Sequence, residues 1–306
     1  MLLKNVPSLK LIGKESSIIP ILLKGLGQIM LQENALSGFL FLIGIFYGSV
    51  TMGFAALLAV ASGTVTAILL KYDRSEIDKG LYGFSAALVG VGVIVFLKPL
   101  FICWILIAVG AIAATLLQHY FIKRKIPVFT LPFVLVLWLI LYLAHNYFSG
   151  ILIDPSISVI KTTNHFIFAF NGFGQVIFQD NFVSGLIFFV AVFFNSPISA
   201  LYGLVGAILS AVAANYFSAP VEDIAIGLFS YNAVLCAITF AGSDIKDSIW
   251  LVISVILSIS ISLLMFHYSI IQLTFPFVLA SCLTQVFKQN YTLVTSNKNK
   301  YDNKNN

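Results

Sequence analysis

The polar residues that recur along this chain are amides and hydroxyls, which bind neutral groups through hydrogen bonds. The segment Gly25–Gly38 carries Gln28, Gln32 and Asn34, and the segment Gly172–Gly185, 147 residues later, carries the same three residue types. Seven of the fourteen positions are identical between the two segments. A side-chain amide accepts and donates hydrogen bonds without carrying charge. Side chains of this kind suit a small, neutral, polar solute.

Two further matches extend the self-similarity beyond these segments. Residues 80–88 match residues 227–235 at the same offset, and residues 129–133 match residues 273–277 at an offset of 144. The last match pairs two threonines, Thr130 and Thr274. Three matches in the same order indicate an internal duplication, and a functional site built on it should use equivalent positions of both copies.

The composition places these residues in a membrane. The chain has 306 residues, of which 59% are hydrophobic and 9% charged, and a mean hydropathy of +1.00, whereas soluble domains are about 25% charged. The uncharged runs Asn34–Leu70 and Asn181–Val221 contain 37 and 41 residues, and about 18 apolar residues suffice for a transmembrane helix. A soluble enzyme, a disulfide scaffold and a nucleic-acid binder are excluded, and we expect no catalytic residue, cofactor or metal site.

Hydropathy predicts an all-α integral membrane protein with ten spans and two shorter apolar pieces. In the first half the spans fall at residues 36–52, 53–70, 80–97, 100–118 and 127–146. In the second half they fall at residues 183–196, 199–216, 226–242, 248–266 and 272–287. The shorter pieces, at 18–32 and 166–179, are too short to cross a bilayer and are predicted to be re-entrant pore helices.

An odd number of spans in each copy requires the second copy to be inverted relative to the first, an arrangement typical of transporters and channels. With the N-terminus inside, 15 of the 17 Lys and Arg residues lie on the cytoplasmic side, as the positive-inside rule requires. We therefore predict a multi-pass protein of the cell (inner or plasma) membrane with both termini cytoplasmic. The predicted segments are an N-terminal segment 1–17, a first inverted repeat 18–148, an extracytoplasmic linker 149–165, a second inverted repeat 166–287 and a polar tail 288–306.

Ionisable side chains are scarce in the predicted spans. Ion-coupled transporters usually keep such groups within the membrane, so their scarcity favours passive movement of an uncharged solute. Glu33 and Asp180, the carboxylates nearest the repeated amides, could cap a neighbouring helix or contact the solute.

Several of these segments resemble the urea transporter family, in its bacterial form. The resemblance covers roughly residues 20–287 and is carried by motifs in both halves. These motifs are Gly-x-Gly-Gln-x-x-x-Gln-x-Asn-x-x-Ser-Gly, Asp73-Arg74-Ser75 followed by Gly80-Leu81-Tyr82-Gly83-Phe84, Pro127–Phe133, Ser218–Asp223 and Thr274-Phe275-Pro276-Phe277.

The resemblance implies a homotrimer in the lipid bilayer, with one pore in each protomer that conducts urea passively down its gradient. It places Gln28 and Gln175 as hydrogen-bond acceptors at the two ends of a narrow filter, with Thr130 and Thr274 facing each other at the constriction. One flat slot is then walled by Leu31, Phe84, Leu88 and Val176. Its inverted twin is walled by Ile29, Phe178, Tyr231 and Leu235.

Three departures from the family pattern bear on selectivity. Leu31 stands where the family usually has a bulky aromatic residue, Ser85 replaces an Asn that is kept as Asn232, and Tyr231 replaces a Phe. The alternatives to a urea channel are a channel for short amides or ammonia, an ion-coupled secondary transporter and a membrane protein without a pore.

Overall fold

The structure is a computed structural model that describes residues 17–153 and 168–302, with side chains up to Thr292. Within these ranges the chain forms fourteen α-helices and two short 3-10 turns, and its strand pairing is limited to one isolated bridge between Leu97 and Leu152. The all-α prediction is confirmed for this part of the chain. Almost all of the predicted N-terminal segment 1–17 and most of the predicted linker 149–165 lie outside the described residues.

The helices fall into two sets of seven with the same order of short and long elements. The first set is α1 Ile18–Gly27 with the 3-10 turn Gln28–Met30, α2 Ala35–Gly48, α3 Val50–Leu69, α4 Arg74–Asp78, α5 Phe84–Phe96, α6 Phe101–Lys123 and α7 Leu131–Tyr147. The second 3-10 turn, Ser149–Ile151, follows α7. The second set is α8 Phe168–Gln175, α9 Phe182–Asn195, α10 Pro197–Tyr216, α11 Val221–Ala225, α12 Tyr231–Thr239, α13 Ile245–His267 and α14 Phe275–Asp302. The last helix continues beyond residue 287, the predicted end of the second repeat.

The backbone repeats in detail as well as in helix order. In the described ranges ten residues have a positive φ, a conformation that is uncommon for residues other than glycine. They form five pairs separated by 147 or 144 residues: Leu31 and Phe178, Lys71 and Ser218, Gly80 and Gly227, Lys125 and Ser269, and Phe129 and Leu273. The two halves therefore follow the same path through their turns.

The repeated Gly-x-Gly-Gln motif is a short helix, a reversal and the start of the next helix. α1 and its 3-10 turn end at Leu31, which is left-handed, and the following helix is capped by Asn34, whose Oδ1 accepts from the backbone N–H of Leu36 and Ser37 at 2.8 and 3.1 Å. Asn181 caps α9 in the same way. Asn is a preferred N-cap because its side chain satisfies amides that the helix cannot. The axes on either side of this reversal are bent by 76° in the first half.

The two halves meet where α2 packs against α9. Ser37 Oγ donates to the carbonyl oxygen of Ala191 at 2.8 Å, and Ser184 Oγ donates to that of Gly44 at 2.7 Å. Each of these bonds becomes the other when 147 is added to or subtracted from its residue numbers. The rings of another such pair, Phe41 and Phe188, lie between these bonds with their centroids 5.3 Å apart, edge to face. Reciprocal contacts of equivalent residues are what a two-fold axis produces, and their order makes α2 and α9 antiparallel.

Four of the described helices, α3, α6, α10 and α13, are long and apolar enough to cross a membrane. The bent pair formed by α1 and α2 makes a fifth if it is counted as one span, and α5, α7 and α9 are shorter apolar helices. Large apolar side chains are exposed on many of these helices, including Phe101, Leu139 and Val212. These features are those of an integral membrane protein with several spans, and the count of ten spans stays a prediction.

Close backbone approach fixes each short helix against the helix that follows it. A Cβ added to Gly38 would overlap the carbonyl oxygen of Leu23 in α1, and one added to Gly185 would overlap that of Phe170 in α8. These carbonyl oxygens belong to helix backbone and cannot rotate away, so a glycine is required at both positions.

We therefore expect Gly38→Ala and Gly185→Ala to destabilise the fold by about 1–3 kcal/mol, the usual cost of overpacking. Thermal unfolding of the purified protein in detergent measures this effect. Gly150→Ala is the matched control because a Cβ there has no atom within 4 Å. A melting temperature for Gly38→Ala equal to that of the control would contradict the packing described here.

Candidate functional site

Two threonine hydroxyls join the halves at the centre of the site. Thr130 and Thr274 stand directly before α7 and α14, each preceded by a residue with positive φ, Phe129 at 47° and Leu273 at 45°. Their Oγ1 atoms are 2.6 Å apart, and each residue is 2% exposed. The structure thus brings together the two threonines that the sequence repeat pairs.

Gln28 is held by a bond from its amide nitrogen. The Nε2 atom donates to the carbonyl oxygen of Lys79 at 3.0 Å, and because a carbonyl can only accept, this bond fixes which end of the side-chain amide faces Lys79. Among the described residues no group donates to Gln28 Oε1. The side chain therefore presents an acceptor from the end of the α1 segment.

A cavity of about 240 Å³ connects Gln28 with Thr130. Five of the twelve predicted site residues line it: Gln28, Ile29, Leu31, Phe84 and Thr130. Ile29, predicted for the second slot, thus borders the cavity of the first half. Phe277 adds a side chain from the second half. The other cavity residues are Leu81, Gln118, Ile122, Ile126, Pro127, Val128 and Phe129.

The seven remaining predicted residues do not line this cavity. Leu88, Val176 and Leu235 are at most 1% exposed and belong to the main apolar core, which also holds Phe84 and Tyr231. Phe178 packs edge to face against Phe96 and Phe133, with ring centroids 6.2 and 6.1 Å apart. Gln175 ends α8 and is partly buried. Thr274 reaches the site through its contact with Thr130, and the Tyr231 hydroxyl donates to the carbonyl oxygen of Leu273 at 2.6 Å.

The cavity also contains residues that sequence reasoning did not single out. Gln118 is 6% exposed and lies in α6, and Phe129 precedes Thr130 in the left-handed region. The signal for Gln118 was available, since it is an amide at the end of an apolar run. Phe129 lies in the repeated segment 129–133, but its residue type alone, one of 28 phenylalanines, did not mark it as a cavity residue.

None of the described residues that line the cavity is charged. Of the two nearby carboxylates, Glu33 lies 3.9 Å from the Lys24 Nζ atom and is exposed. Of the residues that the structure describes, no three His, Cys, Asp or Glu side chains are placed to hold a metal ion. The cavity walls offer hydrogen bonds without charge.

A capped turn supports the Lys79 carbonyl that holds Gln28. Asp73 begins α4, and its Oδ1 accepts from the Ser75 hydroxyl at 2.5 Å and from the Ser75 backbone N–H at 2.8 Å. These bonds, led by the one from the Ser75 hydroxyl, lower the pKa of the Asp73 carboxyl. Hydrogen bonds to a carboxylate favour its ionised form. The Asp73-Arg74-Ser75 motif thus begins the short helix α4, which ends just before Lys79, the residue whose carbonyl binds Gln28.

The fold and the cavity define a class of protein: an all-α, multi-pass membrane protein with an uncharged hydrogen-bonding site where two repeated halves meet. The chain belongs to the urea transporter family, whose sequence model, described as "Urea transporter", matches residues 19–289. The resemblance drawn from the motifs is confirmed.

Curated relatives agree with this assignment. The chain is 32% identical over 238 residues to "Urea transporter 1" of Mus musculus and 33% identical over 238 residues to "Urea transporter 1" of Rattus norvegicus. "Urea transporter 1" of Capra hircus is 32% identical over 237 residues. Each alignment covers 72% of this chain and 62% of the relative, so the chain spans less than two thirds of the length of these relatives.

Proposed function

We propose that this protein conducts urea passively across the cell membrane through a pore at the junction of its two halves. The observation that carries the proposal is an uncharged cavity that leads from the Gln28 amide to the hydrogen-bonded Thr130–Thr274 pair. Membership of the urea transporter family and the names of the relatives support urea as the solute.

The chemistry of urea fits these walls. Urea is flat, neutral and rich in N–H donors, so leaving water costs it several hydrogen bonds, each expensive to leave unmade. The Gln28 Oε1 atom, the threonine hydroxyls and carbonyls at helix ends can replace the lost water. Apolar walls such as Phe84 and Leu31 offer nothing to a hydrated ion. No group on the pathway needs to react with the solute, so we propose a transporter and no enzymatic activity.

The uncharged interior also supports passive over ion-coupled transport. A coupling ion is usually met by fixed charges within the membrane, and the described residues that line the cavity carry none. Channels for short amides or ammonia would use the same walls, and direct comparison of solutes decides between them.

For the architecture we propose two inverted repeats, 18–148 and 166–287, each with five spans and one re-entrant pore helix. The antiparallel, reciprocal contact of α2 with α9 supports this arrangement, because a two-fold axis perpendicular to membrane-spanning helices lies in the membrane plane. The 76° bend between α1 and α2 supports a re-entrant first helix. We further propose that both termini are cytoplasmic, that the protein lies in the inner or plasma membrane and that it forms a homotrimer.

The site assignments carry over from one half to the other by equivalence. We propose Gln175 as the acceptor at the far end of the filter, the counterpart of Gln28. The slot walls are then Leu31, Phe84, Leu88 and Val176 on one side of the threonine pair. On the other side they are Phe178, Tyr231, Leu235 and Ile29, of which Ile29 also borders the first-half cavity. Burial of Leu88, Val176, Ile29 and Leu235 in the shared core supports rigid walls.

Stopped-flow swelling of proteoliposomes that contain the purified protein tests the proposed function. We expect urea to permeate faster than acetamide or ammonia relative to empty liposomes, with no dependence on an imposed proton or sodium gradient. Flux that requires such a gradient would support ion coupling instead, and permeability equal to that of empty liposomes would support a protein without a pore.

Gln28→Ala and Gln175→Ala should each lower urea permeability while expression persists. One lost hydrogen bond is worth about 0.5–1.5 kcal/mol, which corresponds to roughly a two- to tenfold decrease in rate. Asn290→Ala, which removes an exposed amide from α14, is the matched control. Unchanged flux in both glutamine variants would remove these residues from the filter.

The threonine pair gives a separate prediction. Thr130→Val combined with Thr274→Val keeps the side-chain shape and removes both hydroxyls, so urea should permeate about two- to tenfold more slowly. Thr66→Val serves as a control, because the Thr66 hydroxyl bonds its own helix at the Ser62 carbonyl, 2.7 Å away. If the double variant conducts urea at the rate of Thr66→Val, the acceptors at the constriction lie elsewhere.

A further inference from the structure

Among the positions at which the two halves differ are two neighbouring ones at the start of α5 and of α12. Phe84 and Ser85 begin α5, and their equivalents 147 residues later, Tyr231 and Asn232, begin α12. The second half therefore carries a phenol hydroxyl and an amide where the first carries a ring hydrogen and a short hydroxyl.

In the second half these two side chains donate hydrogen bonds to the same backbone carbonyl. The Tyr231 hydroxyl donates to the carbonyl oxygen of Leu273 at 2.6 Å, and Asn232 Nδ2 donates to the same oxygen at 3.2 Å. Asn232 Oδ1 in turn accepts from the backbone N–H of Phe277 at 3.2 Å. A carbonyl oxygen has two lone pairs, so the Leu273 oxygen, immediately before Thr274, has none left for a solute.

In the first half the equivalent carbonyl lacks these two donors. Phe84 has no hydroxyl, and Ser85 Oγ instead lies 3.5 Å from Gln118 Oε1. Across the described chain no group donates to the carbonyl oxygen of Phe129, the counterpart of Leu273. Phe129 and Phe84 both line the cavity. Of this equivalent pair of acceptors, the Leu273 oxygen has two donors and the Phe129 oxygen has none within the described residues.

We propose that Tyr231 and Asn232 make the urea filter one-sided by withdrawing the Leu273 carbonyl from the solute. This inference rests on the proposed urea conduction. Urea that moves from the first half past the threonine pair loses one acceptor at the Leu273 step, which places the main barrier on the second-half side. The Tyr231 ring stays a proposed slot wall, whereas its hydroxyl acts on the solute only through the Leu273 carbonyl to which it donates.

The consequence reaches selectivity. Urea has two NH2 groups and can donate to an acceptor on each side of the pathway, whereas acetamide has one NH2 group and can use an acceptor on one side only. A saturated Leu273 oxygen therefore reduces the difference between the permeabilities of urea and acetamide. Freeing it should favour urea more than acetamide.

Tyr231→Phe tests this inference in proteoliposomes. We expect urea permeability to rise about two- to tenfold, with a smaller rise for acetamide, so that the urea-to-acetamide permeability ratio increases. The double variant Tyr231→Phe/Asn232→Ser copies the first half and should increase the ratio further. The converse change, Phe84→Tyr, should lower urea permeability by giving the Phe129 carbonyl a donor.

Two controls separate the possible failures. Tyr202→Phe removes a tyrosine hydroxyl that bonds Ser248 at 2.8 Å outside the cavity and should leave the ratio unchanged. Thermal unfolding of each variant checks the fold, and Phe84→Tyr keeps the inference testable if Tyr231→Phe is unstable.

A fall in urea permeability for folded Tyr231→Phe would overturn the inference, because the Tyr231 hydroxyl would then itself bind the solute. An unchanged ratio in both Tyr231→Phe and Phe84→Tyr would also overturn it while leaving wild-type urea conduction intact, and loss of conduction in the wild type would overturn both proposals.

Discussion

A helix that ends inside an apolar bundle leaves backbone groups that only the protein can satisfy, and this constraint governs the architecture around the site. After the left-handed Leu31, the Gln32 N–H donates back to the carbonyl of Gly27 at 3.0 Å. The Gln32 side chain donates to the Met30 carbonyl at 2.7 Å and accepts from Asn195 Nδ2 at 2.8 Å. One amide side chain thus closes the end of α1 and ties it to the end of α9 in the other half.

The same constraint sorts the repeated amides into two roles. Gln179 donates to the Ile177 carbonyl at 3.1 Å, as Gln32 does to its own turn, so the second glutamine of each motif serves the backbone. Gln28, four residues before Gln32, donates its side-chain nitrogen to the Lys79 carbonyl, and no described residue donates to its side-chain oxygen. Recurrence in both halves therefore indicates that an amide is required at these positions. The hydrogen bonds of each amide then show whether it satisfies the backbone, as Gln32 and Gln179 do, or leaves an acceptor available to a solute, as Gln28 does.

The sequence carries the features that depend on residue type and spacing. It predicts the all-α membrane class and the short helices, and the repeat pairs Thr130 with Thr274, while the family resemblance implies that these two threonines face each other. It does not predict which side chains share a cavity. Ile29 borders the first-half cavity, and the Tyr231 hydroxyl is taken up by the Leu273 carbonyl, because these contacts depend on side-chain direction in and beside non-helical turns, which periodicity does not describe.

Differences between the two copies of a passive pore can change the rate of permeation but not the direction of net flow. In the proposed filter, the saturation of the Leu273 carbonyl and the lack of a donor to the Phe129 carbonyl change the heights of the wells and barriers along one pathway. Those heights are the same for a solute that travels in either direction, so an uneven filter cannot bias net flow away from the concentration gradient. What the unevenness can set is the rate and the discrimination between solutes, since both depend on the highest barrier. In the proposed filter, the Phe84–Tyr231 and Ser85–Asn232 differences are therefore adjustments between the two copies, and they are compatible with conduction driven by the gradient alone.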